Sequence, residues 1–281
     1  MRLSRMNRRG FSLIELLIVV VLMGIVGATL TRVLLNMQRS ARAQSERVTM
    51  QGNLRAGIAF VPAELRDLSA DDIIDADPDH IEYRAMRATA FACSATATHV
   101  TLRNSLLFAY RAIVAGRDSL FIFVENQPSI ASDDQWVAAG ISAVGTFNCP
   151  DGSAGTRLTL LAPSAAYTNA LPNMALDAPV RTFERMELAL YAADGRSWLG
   201  ARSISAGEPA LQPVLGPLAA DSGLRLTYHA ANGAATATIA NMREIRVTLF
   251  GETGMPISAA YGGPQIASDS IVARVQLRNE Y

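Results

Sequence analysis

The chain has 281 residues, of which 50% are hydrophobic and 18% charged, and its formal net charge at pH 7 is zero. This length suffices for one sizeable core with an appendage, and the balanced charge argues against a general nucleic-acid binder. The balance hides an asymmetry, because the first ten residues carry only basic charges: Arg2, Arg5, Arg8 and Arg9.

A long apolar stretch follows the basic leader of residues 1–10. Residues 11–30 read FSLIELLIVVVLMGIVGATL, and Glu15 is the one charged residue among them. About 20 apolar residues are enough to cross a bilayer as a helix, so the sequence predicts a single membrane span over residues 11–31. The leader arginines predict a cytoplasmic N-terminus and a C-terminal domain outside the inner membrane.

Two ordinary interpretations of this N-terminus are a cleaved signal peptide and an uncleaved signal anchor. Neither explains Glu15, because a carboxylate inside an apolar membrane segment costs about 3 kcal/mol on insertion scales. Such a group usually has a partner, and a cationic group of a neighbouring helix would offset its burial.

The segment GFSLIELLIVVVLMGIV resembles the type IV prepilin family, which includes the pseudopilins of type II secretion. The resemblance rests on Gly10, Phe11 and Glu15, which match the family's order of glycine, phenylalanine and a glutamate five residues after the cut. It implies that a prepilin peptidase cleaves between Gly10 and Phe11 and N-methylates the new amine of Phe11. It also implies that Glu15 pairs with the Phe11 amine of a neighbouring subunit during filament assembly.

The helix is predicted to continue as an amphipathic half over residues 32–68. Apolar residues recur there at roughly helical spacing, and arginines between them form a face that is solvated or binds a partner. A kink or restart is expected near Pro62, because proline interrupts the helical hydrogen bonds. The apolar positions are Val33, Leu34, Met37, Ala41, Val48, Leu54, Ile58, Val61, Leu65 and Leu68.

Residues 69–281 form the predicted exported domain, in which apolar and polar residues alternate in many short segments. Such alternation indicates half-buried strands of an antiparallel sheet. Asp194-Gly195 and Asn232-Gly233 predict tight hairpin turns, whereas residues 126–156 and 163–180 are expected to be loops because they are rich in small and turn-forming residues. The alternating segments begin near Ile81, Val100, Leu158, Met186, Leu224, Ile245 and Ala273, and Leu120–Val124 is predicted to be a more fully buried strand.

The predicted fold is therefore α+β, with a long N-terminal helix packed on an antiparallel sheet. The segment AELRDLSADDI running into DHIEYR, and the closing VQLRN, resemble the PilW and PulJ (GspJ) type of minor pilin or pseudopilin. The absence of proline from residues 11–31 also favours a minor subunit, since major pilins of the family usually carry one there.

Cys93 and Cys149 are the only cysteines. An oxidising compartment would allow them to pair, in which case the bond would contribute about 4 kcal/mol by closing a long loop; the alternative is two buried thiols.

Asp75, Asp77 and Asp79 resemble the start of a calcium loop, but His80 and Met86 stand where glycine and glutamate are needed. We therefore expect no metal and no cofactor.

The sequence favours a structural assembly subunit of a type IV pilus or a type II secretion pseudopilus, and it predicts no enzyme activity. The expected partners are the prepilin peptidase, the membrane lipid and related subunits. Two further hypotheses are an adhesin or nucleic-acid-binding module at a pilus tip, and a membrane-anchored hydrolase. The first requires an exposed aromatic or basic patch, and the second requires a catalytic constellation that the sequence does not contain above chance.

Overall fold

A computed structural model describes residues 12–125, 130, 134–220, 222–258 and 263–278. The chain divides into two compact units, one of Met1–Met50 with Thr253–Ala267 and one of Gln51–Glu252 with Ser268–Tyr281. The order of elements is a long helix followed by antiparallel strands, which confirms the predicted α+β class.

Helix α1 extends from Leu13 to Leu65 and contributes to both units. At 1.5 Å per residue it is about 80 Å long. Its apolar residues from Leu54 onward are buried at positions 54, 61 and 65, whereas the predicted apolar positions Val33, Leu34, Met37 and Val48 are exposed. The packing face therefore begins later than the sequence predicted.

The expected interruption at Pro62 does not occur, because α1 continues through this residue to Leu65. Pro62 lacks only the one N–H that would bond to the fourth residue before it. Val61 and Leu65 on either side are fully buried, which holds the last turn in place. The helix ends three residues before the predicted limit of residue 68.

The first unit also contains a short hairpin formed by β13, Ile257–Ser258, and β14, Pro264–Gln265. Thr253 and Ala267 close its base, since the N–H of Thr253 donates to the Ala267 carbonyl at 2.9 Å. The N–H of Gly254 donates to Glu46 of α1 at 2.8 Å, which ties this hairpin to the helix.

The remaining strands lie in the second unit. Some of them form a larger sheet, and the others form a separate smaller sheet. The strands of the second unit are β1 Ile73–Ala76, β2 His80–Ala95, β3 His99–Arg103, β4 Phe108–Ala109, β5 Ser119–Val124, β6 Gln135–Asn148, β7 Ala154–Leu161, β8 Ala178–Ala193, β9 Arg196–Ser203, β10 Gln212–Leu218, β11 Leu224–His229, β12 Glu244–Glu252 and β15 Ser268–Gln276. A second helix, α2, spans Ala165–Ala170. All the alternating segments that were predicted to be strands lie in strands.

Six strands of the larger sheet close into a ring in the order β2-β3-β7-β6-β5-β8, because β8 also pairs with β2. Every pairing in the ring is antiparallel. The interior is apolar and is filled mainly by Val100, Leu102, Leu120, Ile122, Ile141, Leu158 and Val180. The ring is thus a small barrel whose core is made of side chains.

Two predicted loops were wrong in part. Within them, residues 135–148 form β6, residues 154–156 begin β7, residues 165–170 form α2 and residues 178–180 begin β8. Several positions of β6 are alanine or glycine, so its alternation of buried Val137, Ala139 and Ile141 with more exposed neighbours is weak in the sequence. Residues 126–129 and 131–133 of the first predicted loop lie outside the described residues.

The two predicted turns have different outcomes. Asp194-Gly195 is a two-residue hairpin loop between β8 and β9, and both residues have positive φ, 53° and 70°, as this tight connection requires. Gly233 also has a positive φ of 81°. Its turn lies inside the longer connection from His229 to Glu244, so it does not join β11 directly to β12.

The last part of α1 packs on a smaller sheet in the order β11-β12-β15 and on β10. Gly57 makes the closest approach, because a Cβ atom at this position would lie 2.3 Å from Leu215 Cδ2 and 2.4 Å from Leu249 Cδ1. The helix can therefore approach both strands only because residue 57 has no side chain.

We predict that Gly57→Leu lowers the free energy of unfolding by about 2 kcal/mol, because the new side chain overpacks this contact. The matched control is Gly52→Leu on the same helix, where no atom lies within 4 Å of the added Cβ; this change should raise stability by about 0.5 kcal/mol through helix propensity. Urea unfolding of the full chain in detergent micelles measures both. Equal destabilisation by the two variants would contradict the packing assignment.

Candidate functional site

The first described residues form a capped helix start. Ser12 precedes α1, and its hydroxyl accepts a hydrogen bond from the N–H of Glu15 at 3.2 Å. Its carbonyl accepts from the N–H of Leu16 at 3.2 Å. Serine followed three residues later by glutamate is the sequence pattern of a capping box, a signal that the initial interpretation of Glu15 did not use.

Glu15 lies in the first turn of α1 and is exposed. A carboxylate at this end of a helix interacts favourably with the partial positive charge of the unsatisfied N–H groups. A positively charged amine one residue before Ser12 would be repelled by the partial positive charge at the N-terminal end of α1. The Glu15 carboxylate, close to this amine, would offset the repulsion.

The apolar segment after Glu15 has no cover within the described part of the chain. Every residue from Ser12 to Arg42 is exposed, including Leu16, Leu22 and Val26 with 55–63% of their surfaces accessible. Among the described residues, α1 is the one helix that is long and apolar enough to cross a membrane. A soluble protein rarely exposes so large an apolar surface, so this segment requires lipid or other helices around it.

Several predicted site residues lie outside the described residues. They are the proposed cleavage and methylation positions Gly10 and Phe11, and the leader arginines Arg2, Arg5, Arg8 and Arg9. Their roles remain predictions from the sequence.

The two cysteines are bonded to each other in the second unit. Cys93 lies on β2 and Cys149 directly follows β6, and their Cα atoms are 5.7 Å apart. Strands β3 and β7 lie between β2 and β6 in the ring. The disulfide therefore links two strands that do not pair with each other.

Comparison with protein families supplies the decisive observation about the N-terminus. Residues 5–31 match the prokaryotic N-terminal methylation motif. This match supports a type IV pilin-like N-terminus for the chain. No curated protein matches the chain, and no solved structure matches it. The match ends at residue 31, so it carries no information about the fold of residues 69–281.

In the described part of the chain, one group of charges is centred on a buried glutamate beside the barrel. Glu184 on β8 has no exposed side-chain surface and forms ion pairs with three arginines. Arg87 Nε and Arg111 Nη2 each contact its Oε2 atom, at 2.8 and 2.9 Å, and Arg117 contacts Oε1. Sequence reasoning missed this cluster, because a glutamate in an alternating strand normally faces water.

The ion pairs of this cluster connect segments that are separate in the sequence. Arg87 also contacts Glu64 in the last turn of α1, at 3.3 Å. Arg111 also contacts the buried Asp118 at 2.6 Å, and Asp118 accepts a hydrogen bond from the N–H of Val114 at 2.7 Å. The network therefore anchors the loop before β5 and the end of α1 to β2 and β8. All its acidic groups are bonded to arginine, which indicates a structural role and leaves no free group for catalysis.

Burial alone would raise the pKa of Glu184, but hydrogen bonds from Arg117, Ser203, Arg111 and Arg87 hold this pKa at about 2. A depressed carboxyl pKa stabilises the folded state above the ordinary value near 4.5, and this stability is lost as the pH falls towards 2. The buried position and three cationic partners make Glu184 the main expected acid-sensitive site of the barrel.

We predict that the protein loses about 3 kcal/mol of stability from Glu184 between pH 4.5 and pH 2, following from the depressed pKa. Glu184→Gln should cost about 3 kcal/mol at pH 7, because three arginines lose their buried counter-charge. Glu184→Gln should also reduce the loss of stability between pH 4.5 and pH 2. Denaturant unfolding of the full chain in micelles at several pH values provides the measurement.

The control is Glu187→Gln on the same strand, since Glu187 has one arginine partner, Arg202, close to the surface. We expect this change to cost less than about 1 kcal/mol. An unchanged acid profile in Glu184→Gln would show that the arginine cluster does not control acid stability.

The three histidines and the two tryptophans lie on five different strands of the described chain. His80, His99 and His229 lie on β2, β3 and β11, respectively. Trp136 and Trp198 lie within β6 and β9, and both side chains are partly covered, Trp136 by the Arg181 guanidinium 4.4 Å from its ring. The structure brings only His80 close to other candidate ligands, namely Asp75 and Asp77.

Proposed function

We propose that this chain is a minor pilin or minor pseudopilin, of the PilW or PulJ (GspJ) type, that helps to initiate or cap a type IV pilus or a type II secretion pseudopilus. The observation that carries the proposal is the coincidence of the methylation-motif match with an exposed apolar helix that has Glu15 in its first turn. A structural subunit needs no catalytic group, and the charges clustered around Glu184 connect α1, β2, β8 and the loop before β5.

The proposed membrane arrangement follows from charge and hydropathy. Residues 1–10 form a cytoplasmic leader, residues 11–31 cross the inner membrane once, and residues 69–281 lie outside it. The disulfide between Cys93 and Cys149 supports an exported domain, because such bonds persist in oxidising compartments. After cleavage, the apolar helix would leave the lipid and pack among the helices of related subunits.

Pairing between Glu15 and the Phe11 amine of a neighbouring subunit explains why a carboxylate is kept in this helix. Apolar helices have little preference for one register over another in lipid, and a specific ion pair restricts their alignment. The pair also offsets the cost of burying each charge inside a bundle. The Glu15 carboxylate also interacts favourably with the partial positive charge at the N-terminal end of its own helix.

An exposed aromatic surface favours a second candidate, a binding role at a filament tip. Phe108 and Tyr110 are each 68% exposed around the short strand β4, and Phe60 is 38% exposed. Phe60 and Tyr110 line the same shallow pocket with Asp67. Aromatic side chains are frequent anchors of protein interfaces, so this surface suits either a neighbouring subunit or an external ligand.

The processing step is tested by co-expressing the chain with a prepilin peptidase and determining the N-terminus and intact mass. We predict a mature chain that begins at N-methylated Phe11. Gly10→Leu should remain uncut, because a larger side chain obstructs the close approach of the protease. A wild-type product that begins near Thr29, or that keeps Met1, would contradict the proposal.

The assembly step is tested with Glu15→Gln, which removes the charge and keeps a residue that suits a capping box. We expect about tenfold less incorporation beside wild-type partner subunits, because the neighbour's buried amine loses its counter-charge. Cross-linking and co-purification of membrane-extracted assemblies measure incorporation.

The matched control is Ser12→Ala, which removes the observed helix cap and leaves the Glu15 charge. Ser12→Ala should incorporate almost normally, and Glu15→Asp should recover part of the incorporation. If Ser12→Ala fails as badly as Glu15→Gln, Glu15 acts through the helix cap and the pairing proposal is wrong.

A further inference from the structure

The hairpin between β1 and β2 holds three chemically suitable metal ligands on a fixed backbone. Asp77 closes the turn, because its N–H donates to the His80 carbonyl at 2.9 Å. The hydroxyl of Tyr228 donates to the Asp77 carbonyl at 3.0 Å, and the N–H of Leu226 donates to the Pro78 carbonyl at 2.6 Å. Strand β11 therefore holds the turn from one side.

The side chains of this hairpin converge on the imidazole of His80. Its Nε2 atom lies 3.6 Å from Asp75 Oδ2, and its Nδ1 atom lies 3.5 Å from Asp77 Oδ2. One ligand atom from each of the three residues lies within 4.8 Å of the other two. The His80 side chain is 25% exposed and the two carboxylates are 61% and 62% exposed, so one side of the group is open to water.

The hairpin carries three carboxylates close together in the sequence. Many carboxylates of the second unit are paired with arginine, namely those of Glu64, Asp67, Asp72, Glu82, Asp118, Asp151, Asp177, Glu184, Glu187 and Glu244. Among the described residues, no arginine forms an ion pair with Asp75, Asp77 or Asp79. Three carboxylates within five residues therefore have a single histidine as their potential counter-charge.

We propose that Asp75, Asp77 and His80 bind one divalent transition-metal ion of intermediate softness, such as Zn²⁺, with water in the remaining position. Three protein ligands and a water form a common tetrahedral zinc site, in which bonds of about 2.0–2.2 Å separate neighbouring ligand atoms by roughly 3.3–3.5 Å. The contacts of 3.5 and 3.6 Å join the two carboxylates to different imidazole nitrogens, so they are not the spacing around one ion. One ligand atom from each residue lies within 4.8 Å of the other two, and side-chain rotations in this exposed group would bring one nitrogen and two carboxylate oxygens to the zinc spacing.

The donor set distinguishes this ion from calcium. Calcium takes six to eight oxygen ligands, whereas the hairpin offers two carboxylates and a nitrogen. Imidazole favours zinc, copper and nickel over calcium and magnesium. The described cysteines do not compete, because both are in the disulfide. The ion would clamp the β1–β2 hairpin, a role that does not depend on prepilin processing.

The test is equilibrium dialysis of the full chain in detergent micelles against buffered Zn²⁺, with bound zinc measured by mass spectrometry. We expect one zinc per chain for the wild type. His80→Asn and Asp77→Asn should each raise the Kd at least about tenfold, since each removes one of three ligands. Asp77 is exposed, so its variant tests the site even if His80→Asn folds poorly.

The controls are His99→Asn on β3 and Asp194→Asn in the β8–β9 turn, which make the same chemical changes elsewhere and should bind zinc as the wild type does. Excess Ca²⁺ should not displace the zinc. The proposal is overturned if the wild type binds no stoichiometric zinc, if His80→Asn and Asp77→Asn bind it as tightly as the controls, or if Ca²⁺ displaces it at equal concentration.

Discussion

The pairing of β2 with β8 determines most of the second unit. Twelve residue pairs join the two strands, from His80 opposite Ala189 to Ala92 opposite Ala178. This pairing closes the six-stranded ring at one end of the strands and supports β1, β9 and β10 at the other. Because side chains alternate between the faces of a strand, a shift by one residue would exchange the whole buried set for the exposed one.

The same register places the polar features of the domain. Glu184 lies opposite Ala85, so a small partner leaves room for the guanidinium groups that surround the carboxylate. His80 begins β2 at the hairpin with β1, and Cys93 lies near the other end of the strand, where β2 has turned to pair with β3. The acidic hairpin and the disulfide thus lie at opposite ends of one strand.

Arginine is the only strongly basic residue type in the chain, which contains no lysine. The guanidinium group offers several donors in a fixed plane, so one side chain can bond two carboxylates at once. Arg111 does so with Asp118 and Glu184, and Arg87 with Glu64 and Glu184. The compact network around Glu184 depends on this geometry, since an ammonium group cannot bridge in the same planar way. The acidic hairpin stands apart because it lacks such partners.

The sequence by itself determined the pilin-like N-terminus, the α+β class and most strand positions. Gly10, Phe11 and Glu15 are recognisable because membrane insertion and processing act on a linear segment. Strands such as Leu224–His229 are recognisable because burial on one face imposes alternation. The capping role of Ser12 was also present in the sequence, as a serine followed three residues later by a glutamate.

Only the tertiary structure decided where distant residues meet. The ring closure, the packing of α1 over Gly57 and the cluster around Glu184 join residues that are far apart in the chain, and local periodicity carries no information about such pairings. The sequence did not predict β6, because its alanine and glycine residues weaken the alternation. Its side chains are buried by neighbouring strands, which the local sequence does not specify. Asp75, Asp77 and Asp79 have the spacing that opens a calcium loop, but His80 and Met86 replace the glycine and glutamate that such a loop requires. The hairpin gave them a different geometry, because it turns the imidazole between two carboxylates.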